Sequence, residues 1–323
     1  MIIPTRDRQA ILSETLGRLE RETGDVRFEV VVADDGSTDG TGDFVRAQAE
    51  RRPYPLRLVE LPGLGPAAAR NRALAAAEAP VCLFIDDDCW PRPGLLARHR
   101  DIHARRPERE VALLGFIDLA PTPPPTEFMR WLAGVHLDYE GIADHENAGG
   151  DHFFTGNVSV KTAFLRDAGG FDEALSDGED IDLGLRLERA GMRLAYDPRA
   201  AVEHCSPTDL PRTLARMSSV GRGFALLGER HAGYPVPTRP GLRHRVGACA
   251  LTVLAALGAR TPALRRETWR FLCHQAVREA YWSGGGHGVR GGGATAAAPR
   301  VGRTLARLAA RDGEAQMPAG GPT

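Results

Sequence analysis

Two stretches limit the fold of this chain more than any count of its residues. Phe28–Ala33 (FEVVVA) and Val81–Ile85 (VCLFI) are apolar almost throughout, and each runs straight into acid: Asp34 and Asp35 of DDGSTDGT after the first, Asp86, Asp87 and Asp88 after the second. A strand that is apolar on both faces has to be covered on both, as in a parallel sheet with crossover helices. Helical spacing over Gln9–Glu22, Thr41–Arg52 and Pro66–Ala77 supplies the crossovers, and Met1–Pro4 and Leu56–Leu61 read as two more strands. The expected class is α/β, with a Rossmann-like, mostly parallel sheet flanked by helices.

Beyond this alternation the pattern loosens. Pro121–Pro125 is a stiff, extended break, Phe153–Val160 reads as a strand leading into a short helix over Lys161–Ala168, Ile181–Ala190 as a helix, and Ala200–Val202 as a strand before His204. From Leu210 onward the pattern is helical and basic, with apolar helical spacing over Leu210–Gly228 and Thr261–Trp282. The expected division is a first domain at 1–209, a basic helical extension at 210–282 and a Gly/Ala-rich flexible tail at 283–323.

The net charge of −1 conceals two unlike parts. Residues 1–209 carry 24 basic and 37 acidic side chains, and residues 210–323 carry 17 and 5. Arginine supplies nearly all the positive charge, since Lys161 is the only lysine. The basic third reads either as a helical cap or as an amphipathic surface for anionic lipid or an anionic acceptor. Nucleic acid is not an expected partner, because no aromatic-interleaved basic motif accompanies the charge. Five cysteines with no C-x-x-C pair suggest neither a disulfide framework nor a zinc knuckle. MIIPTRDR lacks the pattern of a secretory leader. The longest uncharged apolar run, Val246–Ala259, falls short of the roughly 20 residues that span a bilayer. The expected location is the cytoplasm, with peripheral contact at the inner face of the membrane if the basic third docks there.

In open α/β sheets ligands bind outside the carboxyl ends of the strands, where both acidic clusters fall. Adjacent carboxylates repel and are costly beside an apolar strand unless a cation or donor compensates them. Mg²⁺ and Mn²⁺ take carboxylate oxygens and bridge to phosphates, so Asp86–Asp88 reads as a metal–diphosphate site, the plain alternative being a solvated acidic turn. DDGSTDGT alone is equally a turn in which Ser37 or Asp39 caps the next helix. Arg70 and Asn71 follow the flexible GLGPAAA; an arginine fork suits phosphate, yet a lone arginine is as readily a solvated surface residue. A third patch, Asp177–Asp182, opens a helix. Ser176 with Glu179 fits a capping box there, and Asp180 or Glu179 fits a general base facing a substrate hydroxyl.

Taken in order, IPTRDR at 3–8, VVADDGSTDGT at 31–41, GPAAARNRAL at 65–74, FIDDDCWP at 84–91, GNVSV at 156–160, GGFDE at 169–173 and GEDIDLGLRLERAG at 178–191 resemble glycosyltransferase family 2, nucleotide-sugar-dependent enzymes with a GT-A fold. The resemblance covers about residues 1–205. It implies that 1–209 is a catalytic domain, with a nucleotide-sugar-binding part at 1–115 and an acceptor-side part at 116–209. It further implies that Pro4, Thr5 and Arg6 line the nucleotide pocket, that Asp34 or Asp35 hydrogen-bonds the base, and that Arg70 and Asn71 lie near the nucleotide and diphosphate. Asp86 and Asp88 match the family's D-x-D motif, with Asp88 on a Mn²⁺ or Mg²⁺ ion, Asp86 on the ribose or a metal-bound water, and Asp87 on the nucleotide-sugar side. Gly156 and Asn157 match a loop near the transferred sugar and acceptor. Asp180 matches the base, with Glu179 beside it, and His204 a position that ligates the metal in some relatives.

The implied activity is a metal-dependent, inverting transfer of one sugar from a nucleoside-diphosphate sugar to an acceptor hydroxyl. The acceptor class, whether small molecule, lipid-linked or glycan, stays open. Processive synthases of the family carry a Gln-x-x-Arg-Trp motif and membrane spans that this sequence lacks, which favours single transfer. The first strand is shorter than the family's usual one. Two alternatives are weaker. A sugar nucleotidyltransferase usually opens on a Gly-rich loop bearing Arg and Lys, absent from IIPTRDR, and a catalytically silent binding module would not need both acid sets intact.

Overall fold

A computed structural model describes residues 1–22, 24, 26–234, 237 and 262–283. The chain forms two compact units, one of residues 1–125 and 139–207, the other of 126–138 and 208 onward. The break near residue 208 lies close to the expected boundary, while 126–138, expected within the first domain, groups with the second unit.

The first unit is built on an eight-stranded sheet: β1 (Ile2–Thr5), β2 (Val30–Asp34), β3 (Leu56–Glu60), β4 (Val81–Phe84), β5 (Cys89–Pro91), β6 (Val111–Leu119), β7 (Val158–Lys161) and β8 (Arg193–His204), in the order β3-β2-β1-β4-β7-β6-β8-β5. Helices α1 (Gln9–Leu19), α2 (Thr41–Ala49) and α3 (Pro66–Ala76) make the crossovers among the first four strands. The pairs β1–β2, β1–β4, β2–β3 and β6–β8 are parallel, whereas β4–β7, β6–β7 and β5–β8 are antiparallel. The sheet is parallel where strand–helix alternation predicts it and mixed where the alternation stops. Strands β5 and β6 and helix α4 (Leu95–Arg105) were not marked by the sequence pattern.

All five residues of β2 are buried, and Leu12, Leu16 and Leu19 of α1 are completely so. Their four- and three-residue spacing puts them on one helix face. Strand order reverses at β1: the chain steps out through β2 to β3, then returns to place β4 on the other side. Such a switch point opens a crevice at the strands' carboxyl ends. Thr5, Asp34 and Asp86 all lie there.

The short helix α6 (Thr162–Asp167) follows β7, and α7 (Glu179–Arg189) then packs on the turn at Gly150–His152. Two glycines allow the approach. A Cβ on Gly184 would lie 2.0 Å from the Gly150 carbonyl oxygen, and one on Gly150 would lie 2.4 Å from that of Gly184. Alanine normally improves a helix by about 1 kcal/mol over glycine, but here it meets backbone that has no room to yield. Gly184→Ala is therefore expected to destabilise the protein by about 3 kcal/mol, measured by thermal or urea denaturation. Near-native stability would show that α7 can move off this turn.

The pairing of β6 with β8 shifts register between Gly115 and Phe116, so that Gly115 faces Asp197 but Phe116 faces Ala201. Backbone groups at such an irregularity lose ladder partners and need others. Asn157 provides them, its Nδ2 donating to the Phe116 carbonyl (3.1 Å) and the Ala200 carbonyl (2.8 Å). The Tyr139 hydroxyl accepts from the Ile117 amide and donates to the Gly115 carbonyl, both at 3.2 Å.

The second unit contains α5 (Glu127–His136), α8 (Leu210–Arg230) and α9 (Pro262–Ser283). Helices α8 and α9 pack closely: a Cβ on Gly221 would lie 2.4 Å from the Val277 carbonyl oxygen. Phe128, Trp131 and Trp269 form a ring cluster, and Arg265 pairs with Glu127 at 2.7 Å. Among the described residues no helix is long and apolar enough to cross a membrane. The run Val246–Ala259 and the tail beyond Ser283 lie outside the described residues.

Candidate active site

The three aspartates after β4 turn sharply into β5, closed by the Cys89 amide donating to the Asp86 carbonyl at 3.0 Å. Each carboxylate meets a different partner. Asp87 is 3% exposed; it accepts from the Thr5 hydroxyl at 2.7 Å and pairs with Arg8 at 3.2 Å. Burial pushes its carboxyl up to about 7 against the pull of Arg8. The side chains of Thr5 and Asp87, expected at the nucleotide, are thus engaged with each other in the interior, bracing β1 against the acidic turn.

Asp88 accepts from Arg8 Nη2 at 2.6 Å, and its Oδ2 lies 3.5 Å from His204 Nε2. Burial works against its charge, but His204 and Arg8 outweigh it and hold the carboxyl well below the usual range. The antiparallel register of β5 with β8 places His204 opposite Cys89 and so beside Asp88. The sequence reading overlooked Arg8. Its signal was available: three adjacent acids require a compensating cation, and IPTRDR offers two. Asp7, at φ 51°, turns the chain between them, leaving the Arg6 side chain 57% exposed and Arg8 turned into the acid cluster.

Asp86 is the most open of the three, at 39% side-chain exposure, and pairs with Arg70 at 3.0 Å. The other arm of Arg70 donates to Glu179 Oε1 at 2.8 Å. Arg70 is 5% exposed, with its guanidinium over the Phe171 ring at 5.7 Å. Burial weighs against its charge, and Asp86 and Glu179 more than restore it. Burial and the neighbouring Asp180 push Glu179 up to about 7, with Arg70 pulling the other way. Arg70 is therefore engaged in joining the acid turn after β4 to the start of α7, across 109 residues of sequence.

Asn71, beside it, exchanges hydrogen bonds with the Phe171 backbone, both at 2.8 Å, and donates to Glu173 at 2.9 Å. It holds GGFDE in place. The capping box expected of Ser176 and Glu179 is absent: α7 is preceded by Gly178 at φ 79°, with no side-chain cap. A left-handed glycine sets the entry angle instead. Asp180 follows on the first turn, half-buried, with Oδ1 accepting from the Ile181 amide at 2.8 Å.

At the end of β2, Asp34 accepts from the Ser37 amide at 2.9 Å, and Asp35 accepts from the amides of Leu64 and Gly65 at 2.6 and 2.8 Å. Arg6 reaches to 3.9 Å from Asp35, and Pro4 pairs with Ala33 in the β1–β2 register. Asp39 rather than Ser37 meets the start of α2, accepting from the Thr41 amide at 3.0 Å, while Ser37 accepts from the Asp7 amide at 2.8 Å. Gly156 backs directly onto the acid turn. A Cβ there would lie 2.8 Å from Ile117 and 3.5 Å from Asp86 Oδ2. Asn157 is completely buried and faces the β6–β8 irregularity.

Asp86, Asp88 and Cys89 bring one ligand atom each within 4.8 Å of one another. Burial raises the Cys89 thiol well above its ordinary value, so it stays protonated and offers little to a hard cation. The two carboxylates suit Mg²⁺ or Mn²⁺. One oxygen of each is tied by an arginine, Asp86 Oδ1 by Arg70 and Asp88 Oδ2 by Arg8. Asp86 Oδ2 faces the space that Gly156 keeps clear, and Asp88 Oδ1 meets only the weakly donating Cys89 thiol at 3.9 Å, so each carboxylate keeps an oxygen that could turn to an ion. The donor set fits.

Residues 1–113 match the family model for Glycosyl transferase family 2. Validoxylamine A glucosyltransferase of Streptomyces hygroscopicus subsp. jinggangensis is 34% identical over 217 residues, covering 59% of this chain and 51% of that protein. Pre-mycofactocin glycosyltransferase of Mycobacterium tuberculosis is 31% identical over 243 residues, covering 73% of this chain and 49% of that protein. The chain spans about half the length of these curated relatives. A mannosyltransferase from Pyrobaculum calidifontis, solved with GDP-Man and Mn²⁺, superposes with a TM-score of 0.60 at 23% identity, over 88% of this chain and 85% of that one. This likeness identifies the fold as GT-A. The family match runs from β1 through the acid turn and into β6; over residues 1–113 the chain matches glycosyl transferase family 2.

Proposed function

We propose that the protein is a non-processive, inverting, metal-dependent glycosyltransferase that moves one sugar from a nucleoside-diphosphate sugar to an acceptor hydroxyl. The observation that carries this reading is the buried Asp86–Arg70–Glu179 bridge, which fixes the D-x-D turn against the first turn of α7, where Asp180 stands. The nucleotide would lie in the crevice at the ends of β1 and β2, with Asp34, Asp35 and Arg6 around the base. A Mn²⁺ or Mg²⁺ ion held by Asp86 and Asp88 would supply positive charge for the leaving diphosphate. Arg8 and Arg70 serve the site by holding those two carboxylates in place, and His204 flanks Asp88.

Asp180 would take the proton of the acceptor hydroxyl as it attacks the anomeric carbon opposite the departing diphosphate. Asp180→Asn is expected to lower kcat about a hundredfold with donor affinity unchanged, read by steady-state kinetics and calorimetry. A variant with near-normal kcat would overturn the base assignment.

The reading as a whole is tested by a panel of nucleoside-diphosphate sugars with candidate acceptors, with Mn²⁺, Mg²⁺ or EDTA present. Release of nucleoside diphosphate should require the divalent ion, stop in EDTA and return with added Mn²⁺. Pyrophosphate release from a nucleoside triphosphate and a sugar phosphate would favour a nucleotidyltransferase instead.

A further inference from the structure

Beneath Gly156 and Asn157 a line of buried polar side chains crosses the first unit. Asn157 Oδ1 lies 3.1 Å from His99 Nε2, and His99 Nδ1 lies 2.7 Å from Ser159 Oγ. Ser159 Oγ lies 2.8 Å from His103 Nε2, and His103 Nδ1 lies 3.0 Å from Lys161 Nζ. Both histidines, Ser159 and Asn157 are buried. Helix α4 supplies the histidines four residues apart on one face, and β7 supplies Ser159 and Lys161 two residues apart on one face.

The direction of every bond in this line is determined, and from both ends. At one end, two backbone carbonyls hold Asn157 Nδ2, so its Oδ1 must face His99 and accept. His99 then carries its proton on Nε2 and leaves Nδ1 as an acceptor, to which Ser159 gives its only hydrogen. Ser159 in turn accepts from His103 Nε2–H, which leaves His103 Nδ1 as an acceptor. At the other end stands an ammonium group that can only donate. Lys161 spends its three hydrogens on His103 Nδ1, the His103 carbonyl at 3.1 Å and the Arg106 carbonyl at 3.4 Å. Burial holds His99 down to about 4 and His103 to about 3, so both rings are neutral, as this pattern requires.

We infer that Lys161, the only lysine of the chain, is a positioning residue for the donor side of the site, acting through a one-way hydrogen-bond chain that ends on Asn157 and fixes the turn carrying Gly156. A Cβ on Gly115 would fall 2.2 Å from Asn157 Nδ2 and from the Ala200 carbonyl oxygen, so the amide cannot shift sideways and can reverse only by turning in place, at the cost of its bonds to the Phe116 and Ala200 carbonyls. The Asn157 carbonyl accepts from the Gly115 amide at 2.9 Å, and Gly156 lies against Asp86. Removing the ammonium leaves His103 Nδ1 a buried acceptor with no donor, a defect relieved only by reversing the tautomers along the chain and turning the Asn157 amide. The role assigned to the turn rests on the function proposed above.

The test is histidine-tautomer NMR on the ¹⁵N-labelled full chain, paired with steady-state kinetics on the nucleotide sugar that the wild type turns over. Wild-type His99 and His103 should both be neutral and protonated on Nε2. Lys161→Met should mix the tautomers and raise donor KM about tenfold with kcat within roughly twofold, and Lys161→Arg should restore both. Ser159→Ala cuts the chain in the middle while leaving both ends in place, and should raise donor KM similarly if the methionine variant does not fold. An Nδ1–H tautomer at either histidine of the wild type would overturn the inference. So would unchanged tautomers in Lys161→Met, or altered tautomers with donor KM within roughly twofold of wild type. A wild type that turns over no nucleotide sugar would overturn the proposed function, with the spectra still judging the chain of bonds.

Discussion

Asp88→Asn is expected to lower sugar transfer about a thousandfold while leaving the protein folded. The substitution keeps the shape of the side chain and removes only its charge. In the interior that charge is balanced by Arg8 at 2.6 Å and faced by His204 at 3.5 Å. Arg8 retains Asp87 at 3.2 Å, so the variant does not leave an arginine without a carboxylate, and its melting temperature should stay within a few degrees. The proposed cation site loses more. Asp86 alone, with one oxygen held by Arg70, is a weak seat for a divalent ion. Thermal shift with Mn²⁺ should separate the two effects: the wild type gains stability with added ion, and Asp88→Asn gains none. A variant retaining more than about a tenth of wild-type kcat, or still stabilised by Mn²⁺, would remove Asp88 from the cation site.

The parts of the fold legible in the sequence are those specified by neighbouring residues. FEVVVA and VCLFI announced buried strands, and the strand–helix rhythm up to residue 85 gave the parallel half of the sheet. The acidic clusters could be placed at the crevice because a buried strand must end where its apolar run ends. Helix α4 was missed for a physical reason: its inward face carries His99 and His103, which read as polar until their partners Asn157 and Ser159, 56 to 60 residues away, are known. Arg8 and Arg70 pose the same difficulty. Sequence shows a cation but not which carboxylate 80 or 109 residues on will meet it. Asn71 and Asn157 were both readable as polar residues near a ligand. In the structure each satisfies backbone groups that irregular segments leave exposed, Asn71 at Phe171 and Asn157 at the β6–β8 shift. Short-range patterns announce surfaces; long-range polar pairing decides which residues touch the ligand and which hold the site in place.

That distinction makes Arg70→Leu the most informative stability experiment. The guanidinium is buried between two acids, Asp86 at 3.0 Å and Glu179 at 2.8 Å. Removing one member of a buried ion set leaves charge without compensation, and the expected loss is about 3–5 kcal/mol, or about 10 °C in melting temperature for a unit of this size. Asp86 is half open to solvent and can be hydrated, so most of the penalty falls on Glu179, whose side chain is 10% exposed. The pH dependence identifies it. Burial already holds the Glu179 carboxyl up to about 7 with Arg70 beside it, against 4.5 when unperturbed. A group raised in this way contributes stability that is complete below its unfolded pKa and lost as the pH rises through the folded one. Without Arg70 the folded value rises further, so the deficit of Arg70→Leu should be larger at pH 8 than at pH 5. Pairing it with Glu179→Leu should recover much of the loss, because an apolar pair of similar volume replaces a broken ionic one. Neither variant should transfer sugar at the wild-type rate, since the acid turn and α7 are no longer joined. A single variant within about 1 kcal/mol of wild type, or one equally destabilised at both pH values, would show that the bridge is not what holds these two parts of the site together.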